Sequence, residues 1–173
     1  MPQPLTPLST ADAISPTMFR HTLGRWATGV AIITASTPDG PVGMTVTSFS
    51  SISLEPPLVG FFAAGSSSTW PSIAAAGGYV VNVLGDDQHH LCGTFAQRAE
   101  DRFTDVTWSA ARTGAPVLDG VLAWMDCELH QTVDMGDHVL AVGKVVDAGV
   151  DGPTRGPLLW YQRGTGAWRP HRV

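Results

Sequence analysis

Residues 121–133 read Val-Leu-Ala-Trp-Met-Asp-Cys-Glu-Leu-His-Gln-Thr-Val. The odd positions Val121, Ala123, Met125, Cys127 and Leu129 are apolar, while the even ones include Asp126, Glu128 and His130. Side chains alternate across a strand, so period-two alternation predicts a strand with one face on a core. Met135-Gly136-Asp137 supplies a hairpin turn. His138 to Asp147 then returns with Val139, Ala141, Gly143 and Val145 on one face.

Further strands follow on either side of this hairpin. Val30–Ser36, Val42–Ser53, Leu58–Ala64, Tyr79–Leu84 and Leu158–Gln162 all read as extended segments. Pro38-Asp39-Gly40-Pro41 is a turn by composition, and Pro56-Pro57 cannot lie in a central strand. Helices are few. Ser15-Pro16 caps one that carries Phe19, Leu23 and Trp26 as far as Gly29. Ser68 is expected to cap a short second helix that stops at Gly77-Gly78. Asp86 or Asp87 opens a third, running to about Gln97. Many short strands with few helices predict an antiparallel barrel or sandwich.

The length, 173 residues, suits one domain, expected over 15–173 after a loose tail at 1–14. With 43% hydrophobic and only 14% charged residues, the composition argues against disorder, and part of the surface is expected to be covered by a partner subunit. The net charge of −5 and the absence of any basic run leave nucleic-acid binding without support. No apolar run approaches a membrane span, and the N-terminus lacks the basic start and apolar stretch of a secretory signal. Cys92 and Cys127 have no metal-ligand spacing and read as buried free thiols in a reducing cytoplasm. His89-His90 are adjacent on a helix and form a poor chelate, so no metal site is expected.

The familiar nucleotide devices are absent. Gly164 and Gly166 begin a dinucleotide fingerprint, but Arg169 stands at its third position. The single lysine, Lys144, follows Val142-Gly143, so there is no Walker loop. There is no nucleophile elbow and no His-Glu-x-x-His helix. What the chain offers instead is two hydroxyl-dense segments set among apolar residues. Thr45, Thr47, Ser48, Ser50, Ser51 and Ser53 form the first; Ser66-Ser67-Ser68-Thr69 form the second, just ahead of a helix start. Neutral donors of this kind suit a flat, partly apolar ligand that carries a phosphate, and hydroxyls in apolar company need partners. Each segment taken alone also reads as an edge strand or a serine-rich loop.

Several motifs, in order, resemble one family. They are Gly43-Met44-Thr45-Val46-Thr47-Ser48-Phe49-Ser50-Ser51, then Ser53-Leu54-Glu55-Pro56-Pro57-Leu58-Val59, then Ser66-Ser67-Ser68-Thr69-Trp70-Pro71. Val81-Asn82-Val83-Leu84, Phe95-Ala96, Asp101-Arg102-Phe103, Gly114 to Gly120 and Gly136-Asp137-His138 continue the series. From about Phe19 to Tyr161 the chain is similar to the short-chain flavin reductases, the small partners of two-component monooxygenases. The resemblance implies a mainly β fold, the FMN-binding split β-barrel (antiparallel, Greek-key) with a few flanking α-helices, normally a homodimer. It implies NAD(P)H-dependent reduction of FMN or FAD and a separate monooxygenase that receives reduced flavin. It also implies that Met44, Thr45, Val46, Thr47 and Ser48 lie along the flavin ring, largely through backbone contacts. Ser50, Ser51, Ser66, Ser67, Ser68 and Thr69 would surround the ribityl chain and phosphate, with Phe95, Ala96, Arg102 and Phe103 nearby and Arg98 as a further basic group. His138 would stand beside the nicotinamide of NADH or NADPH. The tail Trp160 to Trp168 fits the family pattern only in part, and its two tryptophans are expected to pack on a dimer partner. Two alternatives share the barrel: a flavin-binding protein with little reductase activity, and a bound-flavin reductase acting on another acceptor such as a metal complex.

Overall fold

The computed structural model describes residues 14–97, 102–150 and 155–168. Nearly all of the expected tail, together with Arg98 and Arg169, lies outside them. The first helix, α1, spans Pro16–Leu23; Ser15 caps it by accepting the Met18 N–H at 3.2 Å. It ends at Gly24, not at Gly29, and Trp26 falls in the turn that follows.

The strands are β1 (Thr28–Gly29), β2 (Ala31–Thr37), β3 (Gly40–Val46), β4 (Ser50–Ser53), β5 (Leu58–Ala64) and β6 (Gly78–Val83). Later come β7 (Trp108–Ala110), β8 (Pro116–Leu118), β9 (Ala123–Met135), β10 (His138–Val150), β11 (Leu158–Tyr161) and β12 (Gly164–Ala167). Helix α2 (Trp70–Ala76) precedes β6; a 3₁₀ turn at Asp86–Gln88 leads into α3 (His89–Ala96). Seven strands form one antiparallel sheet in the order β3-β2-β6-β9-β10-β5-β4. The sheet curls until β3 approaches β5, with no ladder of backbone bonds closing the gap. A smaller sheet, β1-β11-β12, and the hairpin β7-β8 complete the fold. The extended segment expected over 42–53 is therefore two strands with a turn at 47–49, and β12 and the β7-β8 hairpin are elements the sequence pattern did not reveal.

The alternation expected in the sheet holds on the inner face. Ala31, Ile33 and Ala35 of β2 pack with Phe61, Ala63, Trp70, Ile73, Tyr79, Val81, Cys127 and Ala141 in one core. The outer face of β2 is covered as well. Val30 and Ile32 meet Leu84, Leu91, Phe95, Leu118 and Leu158 in a second core beneath α3 and β8. On β9, Asp126 was expected to face solvent but is fully buried, because the β7-β8 hairpin lies over it. Its carboxylate accepts the Thr113 N–H at 2.9 Å and the Thr113 hydroxyl at 2.6 Å. Both thiols are free and buried; burial, then the Asp126 charge, pushes Cys127 up to about 12. Burial raises Cys92 too, so both stay protonated and unreactive near neutral pH.

Asn82, fully buried on β6, is the polar hub of this outer layer. Its amide donates to the Ile32 carbonyl at 3.2 Å, the Thr34 hydroxyl at 3.0 Å and the Pro116 carbonyl at 3.3 Å. Its own oxygen accepts the Leu118 N–H at 2.8 Å. Removing it strands several buried groups, each costing about 1–3 kcal/mol. Asn82→Ala is therefore expected to lower unfolding stability by roughly 3 kcal/mol in urea titration with an unchanged slope.

Candidate active site

The β3-β4 turn carries the first hydroxyl segment, and one side chain fixes it. Ser50 pairs with Gly60 at the end of β4, so the chain leaves β5 just before it reaches Phe62. There Ser48 takes over: its hydroxyl donates to the Phe62 carbonyl at 3.1 Å and accepts the Phe62 N–H at 3.0 Å. A side chain thus continues the ladder that the backbone has left, and the turn is held over β5.

An open cleft of about 940 Å³ lies beside this turn. Thr47, Ser48, Phe49 and Ser50 form one wall, and Phe62 its floor. Leu23 from the end of α1, Trp26 just after it and Trp160 from β11 line the same cleft. Trp160 also packs, partly buried, on the second core of its own chain. The cleft volume lies near the top of the range for small-molecule sites, about 300–1,000 Å³. Aromatic faces and neutral hydroxyls in one cleft suit a polar, flat ring system. The hydroxyl of Thr28, at the same cleft, is buried without a partner.

The second hydroxyl segment adjoins the first through β3. Arg102 donates to the Gly43 carbonyl and, at 2.9 Å, to the Thr69 hydroxyl, which ties β3 to the loop before α2. The Arg102 Nε is buried without a partner, and burial lowers the guanidinium pKa. Ser67 accepts the N–H groups of Thr69 and Trp70 at 3.3 and 3.2 Å; the N-cap of α2 is Thr69, without a side-chain capping bond, and not Ser68 as expected. It also reaches the Met44 sulfur at 4.0 Å. Ser66 and Ser68 stay exposed.

His138 stands at the end of β10, paired in register with Ala64, two residues before Ser66. Its Nδ1 lies 2.7 Å from the Asp137 carboxylate. That carboxyl is held below its usual range, first by the bond to His138, then by the His138 charge, and more weakly by Arg20. A carboxylate on Nδ1 leaves Nε2 as the nitrogen free to meet a ligand.

Of the residues expected to touch a cofactor, Thr47, Ser48 and Ser50 line the cleft. Met44, Ser67, Thr69 and Arg102 form the adjoining group, with His138 beyond it. Others are spent on the fold. Thr45 donates to the Cys92 carbonyl at 2.9 Å, Val46 is in the inner core, and Ser51 continues β4. Phe95 is buried beneath Gly43 and makes an edge-to-face contact with Phe103 at 5.0 Å; these rings support β3 from behind. Ala96 is exposed at the end of α3. Because β3 is an edge strand, its outer backbone groups lack a ladder partner and, apart from the Gly43 carbonyl taken by Arg102, can meet a ligand. Sequence reasoning missed Trp26, Phe62, Trp160, Arg20 and Arg163, which only the fold brings to the cleft.

Comparison with known proteins agrees with this geometry. The family described as "Flavin reductase like domain" matches residues 23–169, so the chain belongs to the flavin reductase family. A flavin reductase from Pseudomonas putida is 43% identical over 158 residues, covering 91% of this chain and 92% of that protein. An NADH:FMN oxidoreductase from Rhodococcus qingshengii is 41% identical over 148 residues, covering 83% of this chain and 77% of the relative. The crystal structure of nitrilotriacetate monooxygenase component B from Mycobacterium thermoresistibile superposes with a TM-score of 0.86 at 38% identity, over 91% of this chain and 88% of the other.

The Ser48 bridge gives a direct check. Ser48→Ala removes both bonds to the Phe62 backbone and leaves that N–H and carbonyl to water. Urea unfolding is expected to show a loss of about 1–2 kcal/mol. A loss confined to a few tenths would mean the turn is held by packing alone.

Proposed function

We propose that this chain is an NAD(P)H:flavin oxidoreductase that hands reduced flavin to a separate monooxygenase. The carrying observation is the cleft itself: neutral hydroxyls at 47–50 and the aromatic rings of Trp26, Phe62 and Trp160 line one cavity, in a member of the flavin reductase family. The residues fit a flavin. Thr28 and Arg102 each hold a buried donor with no partner, one at the cleft and one beside Thr69. A bound flavin would accept a hydride, two electrons and one proton, at N5 from C4 of the dihydronicotinamide, leaving an oxidised pyridinium.

The protein's own part is to bind and to orient. Thr47, Ser48, Ser50 and the free backbone groups of β3 would hold the ring. Arg102, Thr69 and the serines of the 66–68 loop would hold the phosphate, the arginine through a charge-assisted bond. His138 would meet the donor through Nε2, its ring steadied by Asp137. Trp26, Phe62 and Trp160 would exclude water from the reacting faces. None of these groups is asked to be a nucleophile.

The functional unit is proposed to be a homodimer. No residue of α1 is buried in the single chain, and Met18, Phe19 and Leu23 are each more than half exposed. Trp26 is 75% exposed and Leu54 on the β4-β5 turn 90% exposed, and apolar surface of this extent marks an interface. The free, protonated thiols suit the reducing cytoplasm proposed as its location.

Purified protein is expected to oxidise NADH or NADPH only when FMN or FAD is present; no flavin-dependent consumption would end this reading. Arg102→Met is expected to raise the KM for FMN about tenfold or more, as loss of a bond to a charged group costs roughly 1.5–3 kcal/mol. His138→Ala is expected to lower kcat/KM for NADH about tenfold while leaving flavin affinity within a factor of about three.

A further inference from the structure

Arg20 and Arg163 stand at one rim of the 940 Å³ cleft, and two smaller grooves of about 320 and 290 Å³ open from the same rim. Arg20, His21 and Arg163 line both grooves, and Arg25 joins them in the second. The chain has only ten lysines and arginines and a net charge of −5, so three arginines around one groove is a marked local excess of positive charge. Among the described residues, none of the three makes an ion pair or a side-chain hydrogen bond. They come from separate parts of the chain. Arg20 and Arg25 lie on and just after α1, and Arg163 on the turn between β11 and β12.

The turn is costly for what it does. Gln162 and Arg163 both take left-handed backbone angles, φ 50° and 68°, where Asn-Gly is the usual choice. Gly164 lies one position further on, so the chain keeps two bulky residues where glycine would be easiest. The Gln162 N–H donates to the Gly24 carbonyl at 3.1 Å, which docks the turn on the end of α1 and sets Arg163 across from Arg20. The Arg20 charge also contributes weakly to lowering the Asp137 carboxyl, and Asp137 bonds His138.

Guanidinium groups offer forked donors that match phosphate oxygens, and they keep their charge at any working pH. Neither Arg102, Thr69 nor any residue of 47–50 lines the two grooves, so they are separate from the group beside Thr69. Resting on the reductase reading, we infer that Arg20, Arg25 and Arg163 form a subsite for the diphosphate of the pyridine dinucleotide, so that the donor is gripped by α1 and the β11-β12 turn.

The test compares wild type with the double variant Arg20→Gln/Arg163→Gln, both exposed positions, using two hydride donors. NADH carries the diphosphate; 1-benzyl-1,4-dihydronicotinamide carries no phosphate. The KM for NADH is expected to rise at least tenfold more than that for the benzyl donor, and NADPH to lose as much as NADH. Equal losses for NADH and the benzyl donor overturn the inference. So does a loss confined to NADPH, which would assign the groove to a 2′-phosphate, or a loss confined to FAD relative to FMN, which would assign it to the flavin. Calorimetry with ADP-ribose gives a readout free of catalysis. Wild type is expected to bind it and the double variant to bind at least tenfold more weakly; no binding to wild type also overturns the inference. A wild-type protein inert toward flavin with both donors would instead sink the reductase reading, so the two failures are distinguishable.

Discussion

At Ser48 one hydroxyl satisfies both backbone groups of Phe62, donating to its carbonyl at 3.1 Å and accepting its N–H at 3.0 Å. The cleft depends on this substitution of side chain for main chain. Had β4 continued its ladder past Ser50, the strand would cover Phe62 and there would be no wall of hydroxyls beside an exposed ring. Had the turn no tie to β5, the 47–50 segment would lack a fixed distance from Trp26 and Trp160. The bond costs the fold nothing in unpaired groups, because an edge N–H and C=O are both used.

The polar groups of this protein divide into two sets. Asn82, Thr34, Asp126 and Thr45 are consumed by the fold, each bonded to backbone or to a neighbouring side chain. The buried groups without a partner, which include the Tyr79 hydroxyl in the inner core and Nε and Nη2 of Arg155, also include the Thr28 hydroxyl and the Arg102 Nε. Unpaired buried donors are rare and costly, so the position of the last two, at the cleft and beside Thr69, is informative. These two stand where a ligand's oxygens would relieve the cost. The same logic separates the two aromatic groups. Phe95 and Phe103 pack behind β3, while Phe62 and Trp26 stay open to the cleft.

Strand periodicity placed β5 at its observed bounds and β6, β9 and β10 within one to three residues of theirs, because one face of each meets the inner apolar core. It failed where a second layer covers the other face. Asp126 looked like a solvent residue, and nothing local signals that Thr113 would bury and bond it. The hydroxyl segments announced the cleft, yet spacing could not say which hydroxyls face it; Thr45 lies within β3 and bonds the Cys92 carbonyl of α3, while Thr47, at the same parity, falls in the turn beyond the strand. Trp26, Trp160 and Arg163 were illegible as site residues, since they reach the cleft only after α1, β11 and the last hairpin have docked together. The resemblance to flavin reductases placed Arg102 beside the Ser66–Thr69 loop, and the fold put its guanidinium on Thr69.

The most direct measurement of the central claim is a crystal structure of the protein soaked with FMN. The account predicts the isoalloxazine against Thr47–Ser50, with its phosphate within hydrogen-bond distance of Thr69 and Arg102. A flavin bound elsewhere, with the Ser48–Phe62 turn untouched and the 66–69 loop free of phosphate, would contradict it.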